Sequence, residues 1–583
     1  MKTEINLPQR GRAGSALLMT LIMSAVALAI LAAAMAWSSS SVRLTHRVIQ
    51  YDRSVAAAEA ATEKITSQMT RDFLYGGANL VVNNLNVYRG TTPTAADSSY
   101  WSTWQFDDGN GNLGQTYVQA GGSTAYQPLN SIYAGLQGYI ATYEVVSHAQ
   151  DLSSVQVVNP GVYRTIQLVG IPIFQFAMYS SGDMEISCGQ PFDVAGRVHS
   201  NHNLYVEPDS SLTFESSVTA VVSNLFSRAP LDTRGPPVGT VTYVQPNLKL
   251  SPVQALTLPI GTTNTPQAIR EIIEPPPAGE SPTSPLGRLR YYNQCDMLLI
   301  ATNTVAGVAG TSGNFNNFMT AIPTNELATF VAVTNSFWDA REGKTVMPID
   351  INIGALTAWN QTNTSLRLSL LGSNLTAVYV LDLRTLPANS LSAVRVSNGL
   401  QLPGDGLTVA TGLPLYVWGD YNEYNTANLG TTNTSTTRPA SLVADAITIL
   451  SDNWSDANSA AGLSSRAAAS TTVNAALLTG NVPTTLGHYS GGMENFPRFL
   501  ENWGLANVCT YNGSMVLMFP SLYATNVWGL GNVYNPPARN WGFDANFNDP
   551  TKLPPRTPSL QQVVSQQWAT AVPGQNAPAL AVP

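Results

Sequence analysis

The sequence predicts an α+β protein that is mainly β: one long N-terminal transmembrane helix followed by a large β-rich body. Three observations carry this. No Asp, Glu, Lys or Arg occurs from Ala13 to Val42, and no Pro or Gly interrupts the chain from Ser15 to Tyr75. Beyond Gly76-Gly77 the chain turns to short alternating apolar stretches separated by Gly, Asn, Ser and Pro.

The helix comes first. Its apolar part, Ala16 to Trp37, would span about 33 Å at roughly 1.5 Å per residue, enough to cross a membrane. Three readings of the run compete. A secretory signal would need a shorter apolar core of about 7 to 15 residues, with Ala34-Met35-Ala36 as a cleavage site. A plain anchor fits the length, but Arg43, Arg47 and Arg53 after the span match Lys2, Arg10 and Arg12 before it, so charge does not set its orientation. The third reading uses the residues that follow. Leu44, Val48, Tyr51, Val55, Ala58, Ile65 and Met69, with Thr62 in the one gap, repeat at 4-3 spacing. Span and stripe then form one rod over 15–75, with the membrane span at about 16–37.

The stretch 10–75 resembles the N-terminal region of type IV pilin-like proteins, specifically PilX-type minor pilins and K-type minor pseudopilins. The matching residues are Gly14 at the end of a basic leader (1–14), Ala16-Leu17-Leu18 opening the apolar helix, and Ala58-Glu59-Ala60-Ala61 about 45 residues later. The resemblance implies cleavage after Gly14 by a prepilin-type peptidase, methylation of the new N-terminal Ser15, and an assembly helix carrying Leu44, Val48, Tyr51, Val55, Ala58, Glu59, Ile65 and Met69. Major pilins carry a Glu at the fifth mature position, where this chain has Met19. By resemblance, that points to a rare or terminal subunit rather than a bulk one.

The body divides by composition. Residues 76–175 hold two strand candidates at half-buried period, Tyr139 to Ser147 and Val162 to Ile173, which the resemblance makes a small pilin-like sheet on the helix. Residues 176–235 form a first block of short strands, with Phe192-Asp-Val194, Leu204-Tyr-Val206 and Leu212-Thr-Phe214 turning at Gly, Asn, Ser and Pro-Asp. Residues 236–285 read as a Pro-rich strap with a short helix at Gln267 to Ile273. An α/β insertion follows at 286–390, with strands at Cys295 to Ala301 and Ala377 to Leu383 and a helix at Asn325 to Glu342. A second block of short strands, 391–550, repeats an apolar-x-Gly-x-apolar core at Val417 to Tyr421 and Leu478 to Val482. Such strands suit a stacked parallel β-helix or a set of sandwich domains. The last stretch, 551–583, reads as a Pro/Gln/Ala-rich tail ending in disorder.

Charged residues make up only 11% of the 583, against about 25% in an ordinary soluble domain, and the net charge is -8 with no basic block. Nucleic acid is therefore an unsuitable partner. Cys188, Cys295 and Cys509 lie too far apart in sequence for a CxxC metal or redox site, which leaves either one disulfide or three buried thiols.

The remaining chemistry is sparse. His199 and His202 lack the Glu of a His-Glu-x-x-His zinc site and read as a loop beside a strand. Asp108-Gly-Asn110-Gly-Asn112 begins like a calcium loop but has Leu113 at position six; Asp544-x-Asn546-x-Asn548-Asp549 reads as an Asx-rich turn. Paired carboxylates for glycoside hydrolysis could only come together through the fold, from Asp193, Glu207 and Asp209 or from Asp420, Glu423 and Asp445. Trp503, Tyr511, Trp528, Tyr534 and Trp541 suit either glycan-binding loops or core packing.

These readings favour a structural, non-enzymatic protein without metal or cofactor: a minor pilin-like subunit for assembly initiation and tip or surface display. Its partners would be other pilin-like subunits, the prepilin-type peptidase and an inner-membrane assembly platform. It would be single-pass in the inner membrane with a periplasmic body, then on a pilus or the cell surface. Two alternatives remain: a membrane-anchored β-helix polysaccharide hydrolase, and a secreted adhesin with its N-terminus near Trp37.

Overall fold

A computed structural model describes residues 13–129, 133, 135–303, 311–315, 322–362, 374–529 and 531–571. The first element, α1, runs Ala13–Asn83. Gly76-Gly77, expected to end it, bends it instead. Gly77 takes φ 70°, ψ -169°, a backbone state open to glycine, and helical geometry then resumes. The resumed turn is held because Val81 packs into the same cluster as Ile65, Met69 and Phe73. A short helix, Leu85–Arg89, closes the corner, with Tyr88 Oη donating to Asp72 Oδ2 at 2.7 Å.

An antiparallel sheet packs on the second half of α1. Its strand order is Trp104–Asp107, Gln137–Asp151, Gly161–Pro172 and Ser559–Ala571, and Tyr117–Ala120 and Ala125–Pro128 also pair with the second of these. The alternation read in the sequence sets one face to the helix: Tyr143, Val145, Ile166 and Leu168 meet Ile65, Met69 and Phe73. Further along, Ala57, Ala58 and Ala61 lie against Trp104, Phe106, Ala149 and Val162, where only small side chains let the helix come this close. The fourth strand corrects the expectation of an irregular tail. Ser559–Ala571 pairs with Gly161–Pro172 along almost its whole length, because Leu560, Val563 and Val564 find an apolar edge waiting.

The rest of the body is a stack of parallel strands. In the first block the chain circles three ladders. One holds Phe176–Ser180, Arg197–Ser200, Val218–Ala220 and Lys249–Leu250; the second Met184–Ile186, Asn203–Val206 and Ser223–Leu225; the third Phe192–Val194, Ser211–Phe214 and Thr240–Tyr243. Met178 pairs with Val198 and Val198 with Val218, one turn of the solenoid every 20 residues. The parallel β-helix, rather than separate sandwiches, is the arrangement formed.

The second block continues the same stack. A ladder runs through Met297–Ala301, Ala377–Asp382, Leu407–Thr411, Ala440–Ala444, Thr471–Asn481 and Val508–Pro520. Its last strand then pairs with the first strand of the first block, Met515 beside Met178. The two blocks, far apart in sequence, thus share one interior that includes Val198, Val218, Val378, Leu442, Leu477 and Met515. The opposite face of this ladder is also covered. Tyr179, Tyr379, Ala410, Val443, Leu478 and Val516 lie under Leu256, Leu258, Ile260, Ile272 and Ile273 from the strap. Burial on both faces explains why these strands read as continuous apolar runs, each large side chain contributing about 1.5–3 kcal/mol of burial.

The strap carries its short helix at Pro266–Arg270, extended by a tighter turn to Ile273, with the Thr265 hydroxyl accepting from the Ala268 amide. The helix expected over Asn325 to Glu342 does not form. Only Thr324–Leu327 is helical; Val331–Ala332 and Phe337–Asp339 pair instead with Lys344–Asn352. The β-branched and aromatic side chains there gain more from the ladder than from a helix.

Candidate assembly surface and acidic sites

The two halves of α1 meet different surroundings. From Ser15 to Ile49 every residue is exposed, with Leu17 at 69% and Trp37 at 77%, and none of the described residues of the body covers them. The window that makes α1 long and apolar enough to cross a membrane lies here. Bare apolar surface of this length requires lipid or other helices around it. Gly14 and Ser15 lie in the first turn, and Met19 is 70% exposed.

From Gln50 onward the helix is docked. Of the expected stripe, Leu44, Val48 and Tyr51 are exposed, Val55 is half-buried, and Ala58, Thr62, Ile65 and Met69 are buried. Ser54, Ala57 and Ala61 join the buried face, so the docking stripe is broader than the heptad spacing alone marks. Its flank is polar. Arg164 reaches Glu59 Oε1 at 3.1 Å and also pairs with Glu63, while Arg53 lies 3.4 Å from Asp151.

Of the named carboxylates only Glu207 and Asp209 share a partner, Arg228. Asp193 is exposed on Phe192–Val194. Glu207 lies 3.5 Å from both Arg228 and Arg234, and Asp209 pairs with Arg228 at 2.5 Å. Asp420 accepts from the Thr472 amide at 2.6 Å and lies beside Asp452; burial and that neighbour push its carboxyl up to about 6. Glu423 accepts from Thr436 Oγ1 at 2.6 Å and from the Asn425 amide at 3.1 Å. Asp445 accepts from Arg270 and from the amides of Leu522, Tyr523 and Ala524, which uses its capacity to tie the loop after Pro520 to the ladder.

Among the described residues no group of three or more His, Cys, Asp and Glu is placed to hold a metal ion. His199 is buried between Thr219 Oγ1 at 2.8 Å and Asn201 Oδ1 at 2.9 Å, and burial lowers it to about 4. His202 faces out and pairs with Asp183. Asp108 and Asp544 both close turns, accepting from the Asn110 and Asn546 amides. The three cysteines are free and buried, with burial pushing the Cys509 thiol up to about 12. Trp503, Tyr511 and Tyr534 are core residues, while Trp528 and Trp541 are half-buried.

The group that sequence reasoning missed is Glu185 with Asp183, Thr484 and Ser490, brought together from a strand and its turn and from a loop about 300 residues away. Nothing local marks it, since each is an ordinary loop or strand residue until the solenoid stacks.

No family model matches the chain, and no curated protein matches it. Among solved structures it is similar to the competence-associated pilin ComZ from Thermus thermophilus, at 10% identity over 90% of this chain and 97% of that one, with a TM-score of 0.27. So loose a superposition transfers no residue's role from one chain to the other.

Proposed function

We propose that this chain is a structural, non-enzymatic minor pilin-like subunit of a type IV pilus or related filament. The observation that carries the reading is the division of α1: one half is docked on a sheet of its own body, and the other, apolar and wholly uncovered, projects from it. Such a half can lie in the inner membrane as a single pass and then exchange lipid for the helices of neighbouring subunits. The exchange needs no new hydrogen bonds, because a helix satisfies its own backbone in either setting. The solenoid would be displayed at the tip or surface, helping to initiate assembly. The alternative of a polysaccharide hydrolase needs two of the named carboxylates in one cleft; Glu207 and Asp209 are held by Arg228, and Asp420, Glu423 and Asp445 by different partners, which favours the structural reading.

Processing supplies the test. A prepilin-type peptidase acting after Gly14 leaves Ser15 as the N-terminus, and Gly14→Val leaves the precursor uncut. N-terminal sequencing and intact mass of the membrane-extracted protein read both outcomes. A mature chain starting near Trp37 would favour the secreted adhesin, and an unchanged mature mass in Gly14→Val would remove the pilin reading.

A further inference from the structure

A cleft of about 550 Å³ lies over the outer face of the paired strands Met184–Ile186 and Asn203–Val206, within the usual size of a small-ligand site. Strand alternation explains its position. Met184, Ile186, Leu204 and Val206 point into the solenoid, so Glu185 and Tyr205, directly paired across the ladder, point out. Two excursions wall the floor they make: Ala229 to Leu231 on one side, Pro483 to Met493 on the other. Leu231, Met493 and Phe519 give the walls an apolar surface.

The charge in this cleft is one-sided. Asp183 and Glu185 line it, no Lys or Arg does, and its single histidine, His202, is engaged by Asp183. Glu185 Oε2 accepts from Thr484 Oγ1 at 2.7 Å and Ser490 Oγ at 3.1 Å. Its Oε1 has no hydrogen-bond partner and the carboxylate no ion pair among the described residues.

The surroundings are acidic. Glu207, directly after Asn203–Val206, is fully buried with its Oε1 unpartnered among the described residues, and burial with Glu185 nearby pushes its carboxyl up to about 9, so it takes a proton rather than adding charge. Asp232 and Glu494 add to the negative field at Glu185. The two arginines close by are already committed, Arg228 to Asp209 and Glu207, Arg234 to Asp232 and the Tyr489 ring. Glu185 is half-buried on the cleft floor with other acids beside it, so a cation that meets its free oxygen in the cleft is favoured.

We propose that this cleft binds an organic ammonium group on an apolar stem, with the cation against Glu185 Oε1 and the stem along Leu231, Met493 and Phe519. A free polyamine and the lysine side chain of another protein share that chemistry. A metal ion fits less well, since among the described residues no group of three or more His, Cys, Asp and Glu is placed to hold one.

The test uses the full chain in detergent and isothermal titration calorimetry. 1,5-Diaminopentane binds saturably at one site, 1-pentanol does not, and Glu185→Gln weakens the amine at least tenfold. Glu185→Asp keeps the charge but withdraws it by one methylene; it weakens binding severalfold with an unchanged melting temperature, so loss of fold cannot mimic the result. Asp193→Asn, on another ladder, leaves binding unaltered. Nα-Acetyl-lysine amide binding as well as the diamine identifies a protein lysine as the source; binding of the diamine alone identifies a free polyamine. The proposal is overturned if neither amine binds below about 10 mM, a free energy of under roughly 3 kcal/mol, if Glu185→Gln binds as the parent does, or if calcium chloride binds and the amines do not.

Discussion

The two halves of α1 belong to one helix and differ in what completes them. Residues 15–49, apolar over 16–37, are left uncovered by every described part of the chain. Residues 50–73 carry small and medium side chains and are completed by the chain's own sheet. Hydrophobicity alone would rank the first half as the better core. What selects the second half for docking is shape: alanines at 57, 58 and 61 let Trp104 and Phe106 approach, and charged residues on the flank meet partners on the sheet.

That contrast can be broken residue by residue. Met69→Ala, in the docked half, opens a cavity in a fully buried cluster and should cost about 2–5 kcal/mol. It would be seen as faster hydrogen exchange over 50–73 with the solenoid still protected. Ala58→Leu should cost about 1–3 kcal/mol by overpacking against the sheet, although leucine is the more apolar residue; a stabilised variant would mean that apolarity, not shape, sets the docking. Arg164→Ala removes a partly exposed pair with Glu59 and Glu63 and should cost under about 1 kcal/mol, less at high salt.

A control comes from the solenoid. Burial and Asp452 raise the folded carboxyl of Asp420 above its unfolded value, so the folded state binds the extra proton. Stability therefore falls as pH rises from about 4 to 6. Asp452→Asn should flatten that slope in thermal melts without touching exchange in α1. Smallest of all, Leu28→Ser in the bare half should leave the body's melting temperature unchanged while weakening membrane retention; a lowered melting temperature would show that the body does cover it.

Sequence patterns that depend on neighbours a few residues away were readable. The apolar run, the strands around Tyr143 and Ile166 and the turn at Asp108 all follow from local alternation or spacing. What depended on distant partners was hidden. Val331 and Phe337 look helical in isolation and become strands because Lys344–Asn352 lies beside them. The Val563–Trp568 stretch looks like tail because its partner strand ends at Pro172. The 20-residue turn length was present between Met178, Val198 and Val218, but too few turns occur before the strap to establish a period. For the acidic residues, Asp445 and Glu423 gave no sign that backbone amides and hydroxyls would occupy them, nor Glu185 that Thr484 and Ser490 would meet one of its two oxygens.

The pairing of Ser559–Ala571 with Gly161–Pro172 bears on the order of synthesis. During translation the N-terminal helix emerges first and can enter the membrane while the sheet meant to hold its second half still lacks a strand. Only when Ser559–Ala571 has been made can that edge close, and only after Val508–Pro520 appears can the first turns of the solenoid find the rung beside them. A chain cut short before Ser559 would leave a long strand with an open edge next to the anchor, a marked target for proteases and for mispairing. The late strand thus acts as a check on progress, making a closed sheet the property of chains that reach Ala571.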